Sequence, residues 1–247
     1  MNMRPKAYKR YGNFFRAAVI SFSFLGLIIL FSSCLKNNIN SNSSTPVANI
    51  MAFNLALDRS AVGFEVGGSS VSNQPMSYGS FTGTYVNIDT GSTNIQTFDF
   101  NSGSTVYADT TGSFAQNKFY SLFFIGNNDK YRNLLVRDNF DSLSSSSGNA
   151  YLRYVNAIPD SVTSTQIILS AGSNVIGGAN TNFGDVSAFA PVTPGDLTIA
   201  VKSSSGIDTS RVITVAAKNA YTILISGLQG SSTPVGIKYI LNGTLSN

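Results

Sequence analysis

The apolar residues that follow Cys34 occur in short runs, and none of these runs repeats with the period of a helix. Phe119–Ile125 and Ala220–Ser226 are aromatic and β-branched runs bounded by glycine or polar residues, as strands are. Ile95–Phe100 and Leu197–Lys202 alternate between apolar and polar positions, and turn sequences lie between such segments. The pattern predicts an all-β chain built of short strands.

Three blocks of sequence recur in the same order at a nearly constant spacing, which identifies an internal repeat. The matching blocks are Ala48–Leu57 with Ala150–Pro159, Ser77-Tyr78-Gly79 with Asn182-Phe183-Gly184, and Phe119–Gly126 with Ala220–Gly227. This alignment pairs Asn54 with Asn156 and Asp58 with Asp160. Because each unit has room for about seven or eight short strands, we expect two tandem immunoglobulin-like antiparallel β-sandwiches.

The chain begins with a basic segment and the uncharged apolar run Ala17–Phe31. This run is shorter than the ~20 residues of a transmembrane helix, but it suits a signal peptide. It ends in Phe31-Ser32-Ser33-Cys34, which resembles the lipobox of bacterial lipoproteins. The resemblance implies cleavage between Ser33 and Cys34 and lipidation of Cys34. An uncleaved membrane anchor is the alternative, and the position of the only cysteine at the end of the run favours the lipoprotein.

The predicted organisation has five parts. They are a signal peptide over 1–33, a flexible Asn- and Ser-rich tether over 34–46, a first sandwich over 47–140, a Ser-rich linker over 141–149 and a second sandwich over 150–247. An acidic cluster after the lipidated cysteine marks surface-exposed lipoproteins of some Gram-negative bacteria, and no acidic residue occurs here before Asp58. We therefore expect the anchor to hold the protein at the periplasmic face of the outer membrane, with the cell surface as the alternative.

Charge and composition exclude several classes of function. Five of the sixteen basic residues precede Cys34, so eleven basic and twelve acidic residues remain, and the net charge of +4 becomes −1. We therefore expect no nucleic-acid partner, which would require a basic patch. The chain has no His and one Cys, which excludes His-based catalysis and His/Cys zinc sites. Glu65 is the only glutamate, so paired catalytic carboxylates are not indicated. We expect no catalytic residue, cofactor or metal.

The second unit carries a family resemblance in three blocks. They are Arg153–Asp160 (RYVNAIPD), Asn182–Ser187 (NFGDVS) and Lys218–Ile223 (KNAYTI). As a set, over about Ala150–Leu228, they resemble the domain of unknown function 4397 (DUF 4397) family. The first unit is similar to a diverged copy, with Met51 where Arg153 stands and Leu57 where Pro159 stands. The resemblance implies a β-sandwich at the bacterial cell envelope and no established activity.

Arg153, Asn156 and Asp160 are the candidate polar site of the second unit. They form either a ligand-binding set at one end of the sandwich or a turn in which Asn156 and Asp160 bond to nearby backbone. In the second case Arg153 pairs with a neighbouring carboxylate, and the sequence favours this structural interpretation. Tyr120 and Tyr221 are predicted to be core aromatics with bonded hydroxyls.

Asp141-Ser142-Leu143 resembles the short Asp-(Ser/Thr)-apolar acceptor of bacterial O-glycosylation. Ser142 is the best candidate for this modification, because it precedes the Ser run of the linker.

The predicted function is that of a non-catalytic envelope protein, attached to the membrane through lipid on Cys34, that binds a protein or glycan partner or spaces other domains. The alternative is a carbohydrate-binding accessory lipoprotein of glycan capture. The absence of Trp argues mildly against the alternative. Sugars stack on aromatic rings. The carbohydrate-binding alternative would therefore be favoured by a surface cluster of Tyr85, Tyr107, Tyr151 and Tyr239.

Overall fold

The computed structural model describes residues 45–159, 165–171 and 173–245. This part of the chain contains sixteen β-strands and two short 3-10 turns, so the predicted all-β fold class is confirmed. Among the described residues, no helix has the length and apolar character needed to cross a membrane. Ser33, Cys34 and Asp160 lie outside the described residues.

The first repeat forms two four-stranded sheets. Its strands are β1 (Val47–Ala56), β2 (Val62–Val66), β3 (Ser69–Ser70), β4 (Val86–Asp89), β5 (Gly91–Asp99), β6 (Val106–Phe114), β7 (Phe119–Asn127) and β8 (Lys130–Asp138). The inner sheet has the order β4-β1-β7-β8, and the outer sheet has the order β3-β2-β5-β6.

The second repeat has the same arrangement. Its strands are β9 (Ala150–Ala157), β10 (Thr165–Ala171), β11 (Asn174–Thr181), β12 (Ala190–Val192), β13 (Gly195–Lys202), β14 (Asp208–Val215), β15 (Asn219–Ser226) and β16 (Gly236–Thr244). The inner sheet has the order β12-β9-β15-β16, and the outer sheet has the order β11-β10-β13-β14.

The first strand of each repeat pairs in parallel with the seventh. In β1 and β7 this register runs from Asn49 opposite Phe119 to Ala56 opposite Gly126, and β9 pairs with β15 in the same way. The other strand pairs of the described part are antiparallel. Each inner sheet is therefore mixed rather than purely antiparallel, because the intervening strands provide the long crossover that a parallel pair needs.

Three hydrophobic clusters hold the four sheets together. One fills the space between the sheets of the first repeat, and a second fills the same space in the second repeat. The third lies between the two inner sheets and includes Met51, Phe53 and Phe123 of the first repeat with Val155 and Leu224 of the second. The inner sheets are thus covered on both faces, which explains why β1 and β7 read as continuous apolar runs.

The segment between the repeats contains structure of its own. It forms two 3-10 turns, η1 (Phe140–Ser142) and η2 (Ser145–Ser147). The backbone N–H of Ser144 donates to the hydroxyl of Tyr151 at 2.9 Å. The residues from Thr45 onward form one compact unit, and whether each repeat folds alone stays a prediction.

Candidate functional site

The asparagines that the repeat places in equivalent positions are both fully buried and make equivalent bonds. The side-chain oxygen of Asn156 accepts from the N–H of Ile158 at 3.1 Å, and its nitrogen donates to the carbonyl of Thr181 at 3.3 Å. The oxygen of Asn54 likewise accepts from the N–H of Ala56 at 3.1 Å. Each asparagine therefore organises the backbone where the first strand of its repeat ends.

The same asparagines join the first sequence block of each repeat to the central block. The N–H of Gly79 donates to the carbonyl of Asn54, and the N–H of Gly184 donates to the carbonyl of Asn156, both at 2.7 Å. Both glycines have positive φ, +75° and +88°, where a β-carbon is unfavourable. The first and central blocks of each repeat are therefore bonded to each other.

The prediction for the two repeated tyrosines is confirmed. Tyr120 and Tyr221 are buried, and their hydroxyls accept from the N–H groups of Ala115 at 2.9 Å and Ala216 at 3.1 Å. A tyrosine hydroxyl bonded to backbone a few residues upstream is a known corner of β-sandwiches.

Arg153 lies between the two inner sheets, with only 2% of its surface exposed. One terminal nitrogen forms an ion pair with the carboxylate of Asp138 in the first repeat. The other donates to the hydroxyl of Ser121 at 2.7 Å, and Nε donates to the hydroxyl of Thr222 at 2.8 Å. The guanidinium also lies 4.5 Å from the ring centre of Phe189. Arg153 thus bonds to both repeats at once.

Asp138 is equally enclosed, with 3% of its surface exposed. Besides Arg153, its carboxylate accepts from the hydroxyls of Tyr85 at 2.6 Å and Ser121 at 2.8 Å. Burial raises the pKa of the Tyr85 hydroxyl, and the charge of Asp138 raises it further. Because charge-assisted bonds satisfy the carboxylate on several sides, the buried pair is well compensated.

The buried hydrogen bonds around Arg153 and Asp138 are nearly equivalent in the two repeats, but Arg153 itself has no arginine counterpart in the first repeat. Ser121 bonds to Asp138 in the first repeat as Thr222 bonds to Asn242 in the second, at 2.8 and 2.6 Å. The residue equivalent to Arg153 is Met51, which belongs to the apolar cluster between the same sheets. A second buried arginine at the position of Met51 would share the one carboxylate of Asp138 with Arg153, and one positive charge would stay uncompensated. An apolar residue at position 51 avoids this cost.

A reciprocal clasp joins the repeats through the central sequence block. Arg132 of β8 lies 4.7 Å from the ring centre of Phe183 and donates to its carbonyl at 2.5 Å. Lys238 of β16 lies 5.9 Å from the ring centre of Tyr78, whose hydroxyl is 2.9 Å from the hydroxyl of Ser226. Each repeat thus places a basic residue over the aromatic ring of the other, a favourable electrostatic contact.

A β-carbon on either glycine of the central blocks would collide with this clasp. At Gly184 it would meet the guanidinium of Arg132, and at Gly79 it would meet the ammonium group of Lys238. The local backbone requires glycine at these two positions, and a β-carbon would in addition displace the flexible ends of Lys238 and Arg132.

Asp58, the first-repeat counterpart of Asp160, lies just after the C-terminal end of β1 and belongs to a separate polar group. Its carboxylate accepts from the hydroxyl of Tyr131 at 2.7 Å. The guanidinium of Arg59 lies 4.5 and 4.9 Å from the ring centres of Tyr107 and Tyr131. Burial, followed by the bond to Asp58, raises the pKa of Tyr131 to about 12.

The four tyrosines proposed as a sugar platform do not share one exposed face. Tyr151 is buried, and Tyr239 packs against Tyr221. Tyr107 packs between Phe124 and Arg59, whereas Tyr85 bonds to Asp138. The arrangement that would favour carbohydrate stacking on these rings is therefore missing.

One cavity of about 410 Å³ opens beside the contact between the repeats. The rings of Tyr85, Phe119 and Phe140 line it, together with Asp141 and Asn242. Ser142, the predicted glycosylation position, is exposed next to it, and its hydroxyl donates to the carbonyl of Asn139 at 2.7 Å. In the described residues, no group of three or more acidic, His or Cys side chains could hold a metal ion.

Asp138, Ser121 and Thr222 were not predicted as site residues. Asp138 is the last residue of the edge strand β8, and its partner Arg153 is separated from it by the whole linker. The available signal was the unbroken apolar character of β1, β7 and β15, which indicates cover on both faces of each inner sheet.

A structural likeness exists to a solved protein from Bacteroides uniformis ATCC 8492, described as a "putative cell adhesion protein". It has 8% sequence identity and a TM-score of 0.24, and covers 79% of this chain and 98% of that chain. A TM-score this low carries no argument about function. No curated protein matches the sequence of this chain.

One family model matches residues 48–163, which span the first repeat and the opening of the second. The motif resemblance was drawn on Ala150–Leu228, with the first repeat as a diverged copy, and the family model matches mainly that first copy. Although Met51 and Leu57 replace the Arg and Pro of the motif, the first repeat keeps the bonds of Asn54 and Gly79. The resemblance itself is confirmed, because the family model that matches residues 48–163 is the one described as Domain of unknown function (DUF4397).

Proposed function

We propose that this chain is a non-catalytic lipoprotein of the cell envelope whose two β-sandwiches act together as one rigid binding or spacing module. The observation that carries the proposal is the contact between the repeats. An apolar cluster, a buried ion pair and a reciprocal cation–ring clasp all join the two repeats. Such a contact favours a fixed arrangement over two sandwiches that move independently.

The non-catalytic role is supported by how the reactive side chains are used. Arg153 and Asp138 are buried and bonded to protein groups, and the hydroxyl of Tyr85 is bonded to Asp138. Acid–base catalysis requires a group that reaches the substrate. These three groups are instead bonded to one another at the contact between the two repeats.

The proposed location is the periplasmic face of the outer membrane, with Cys34 carrying the lipid. The basic start, the apolar run and the lone cysteine at its end support this location. Cys34→Ala should abolish fatty-acid labelling of the protein in a lipoprotein-processing host and leave a precursor of higher mass. The conservative variant Ser33→Ala keeps a small residue before the cysteine and should label normally. Unchanged labelling of Cys34→Ala would contradict the lipid anchor.

Binding of glycans is the second candidate, and the cavity beside the contact is the observation that favours it. Three aromatic rings and the carboxylate of Asp141 line a space of about 410 Å³, which combines stacking surface with a hydrogen-bond acceptor. A glycan array probed with the wild type and with Phe140→Ala tests this candidate. Binding that Phe140→Ala removes would establish it, and an array without binding would leave protein binding or spacing as the role.

A further inference from the structure

The structure leaves one long edge strand with less protection than the other edges have. The backbone N–H and C=O groups along an edge can pair with another chain, and natural proteins shield them with short strands, charges, proline or β-bulges. β11 (Asn174–Thr181, NVIGGANT) is eight residues long, with no charged residue and no proline, and its bulge at Ile176 leaves the regular stretch 177–181 at the edge. In the described part of the chain, β10 is the only strand that pairs with it.

The long edges on the opposite side of each sandwich are closed by side chains. Asn133 of β8 donates to the carbonyl of Ala108 in β6 at 3.4 Å. Arg211 of β14 donates to the carbonyl of Ile237 in β16 at 2.8 Å, and its guanidinium lies 5.3 Å from the ring centre of Tyr239. These bonds join the outer sheet of each repeat to its inner sheet along that side.

The remaining edges are short. In the first repeat, β3 occupies the place of β11 and has only two residues, while β4 has four and ends in Asp89. In the second repeat, β12 has three residues and contains Pro191. The comparison within one molecule shows that the fold tolerates a shortened strand where β11 stands, so its full length is a particular feature of the second repeat.

We infer that β11 is an interaction surface for a second copy of this chain, which adds its own β11 in antiparallel orientation about a two-fold axis. The charge pattern favours this occupant. In a two-fold pair each strand faces itself, so a charged strand would bring like charges together, whereas β11 and the adjacent β10 are uncharged throughout. Val175 of this strand is 68% exposed, so its side chain can be changed without disturbing the core.

The test is the oligomeric state of the full chain in detergent micelles, measured by analytical ultracentrifugation over a range of concentrations. The wild type should form dimers reversibly. Val175→Lys places one new charge on each of the two paired strands and should shift the protein to monomers, because a charged side chain, lysine in particular, protects an edge strand from pairing.

Val212→Lys is the matched control. Val212 lies on the other edge strand of the same sheet, is 62% exposed and stands beside the edge that Arg211 closes. This variant should dimerise as the wild type does. In the wild-type dimer, the amide hydrogens of β11 should also exchange more slowly than in Val175→Lys. A wild type that stays monomeric, or two lysine variants that behave alike, would overturn the inference.

Discussion

The guanidinium of Arg153 in the second repeat and the carboxylate of Asp138 in the first form a buried ion pair. Removing one member of such a pair leaves the other charge buried and uncompensated, which typically costs about 3–5 kcal/mol. We therefore expect Arg153→Ala to lower the free energy of unfolding by about this amount, measured by chemical denaturation. Sequence alone predicts a milder effect for Arg153→Ala than for the asparagine variants, and the burial of the pair reverses that order.

Arg137→Ala provides the control for this prediction. Arg137 pairs with Asp141 at 3.5 Å, and both side chains are exposed, so the loss should stay below about 1 kcal/mol. The double variant Arg153→Met with Asp138→Asn removes both charges and should recover part of the stability. A loss from Arg153→Ala no larger than that from Arg137→Ala would show that the buried pair does not stabilise the contact.

Asn54→Ala and Asn156→Ala should each destabilise the protein by roughly 1–2 kcal/mol, because each removes hydrogen bonds from buried backbone groups. The N–H of Ala56 loses its side-chain acceptor in the first variant, and the carbonyl of Thr181 loses a side-chain donor in the second. Thermal melts of both variants decide the question. Ser142→Ala, an exposed change, should leave the melting temperature unchanged. Two unshifted asparagine variants would favour a ligand-binding role for these residues.

The strands, the repeat and the bonded tyrosines could be predicted because each depends on local pattern or on comparison of the chain with itself. The partner of Arg153 could not, since nothing in the sequence says which carboxylate meets it across two sheets. In the sequence, Met51 is only a position at which the first repeat has diverged from the motif. In the structure it is the apolar counterpart that a contact with one carboxylate requires.

Gly227→Ala should cost more stability than the same change at an unhindered glycine. Gly227 has a φ of +123°, and a β-carbon there would collide with the backbone carbonyl of Pro234, which cannot move aside as the end of a side chain can. Gly195 has a φ of +126° with open space around it, so Gly195→Ala measures the effect of the backbone conformation alone, about 1–3 kcal/mol. The excess loss at Gly227, measured by denaturant unfolding, reports the close approach of the two backbone segments. Equal losses at the two glycines would show that the backbone near Pro234 shifts without cost.

Stability should decrease at alkaline pH through the bonded tyrosines. The pKa of Tyr131 rises from 10.0 to about 12, because burial and the bond to Asp58 favour the neutral hydroxyl. A raised folded-state pKa gives a contribution that is complete below pH 10 and is lost as the pH rises toward 12. Denaturation midpoints and tyrosinate absorbance follow this loss. Tyr131→Phe should show a smaller decrease, and a slope identical to that of the wild type would contradict the assignment.

The parallel pairing of β1 with β7 has a mechanical consequence. β1 pairs with β7 at eight positions, from Asn49 to Ala56. The N-terminal end of β1 is the end that is joined to the preceding chain. When the chain ahead of Val47 is pulled while the far end of the sandwich is held, the force runs along β1. The inter-strand bonds then share the load in shear instead of opening one after another, so the first strand resists extraction under tension.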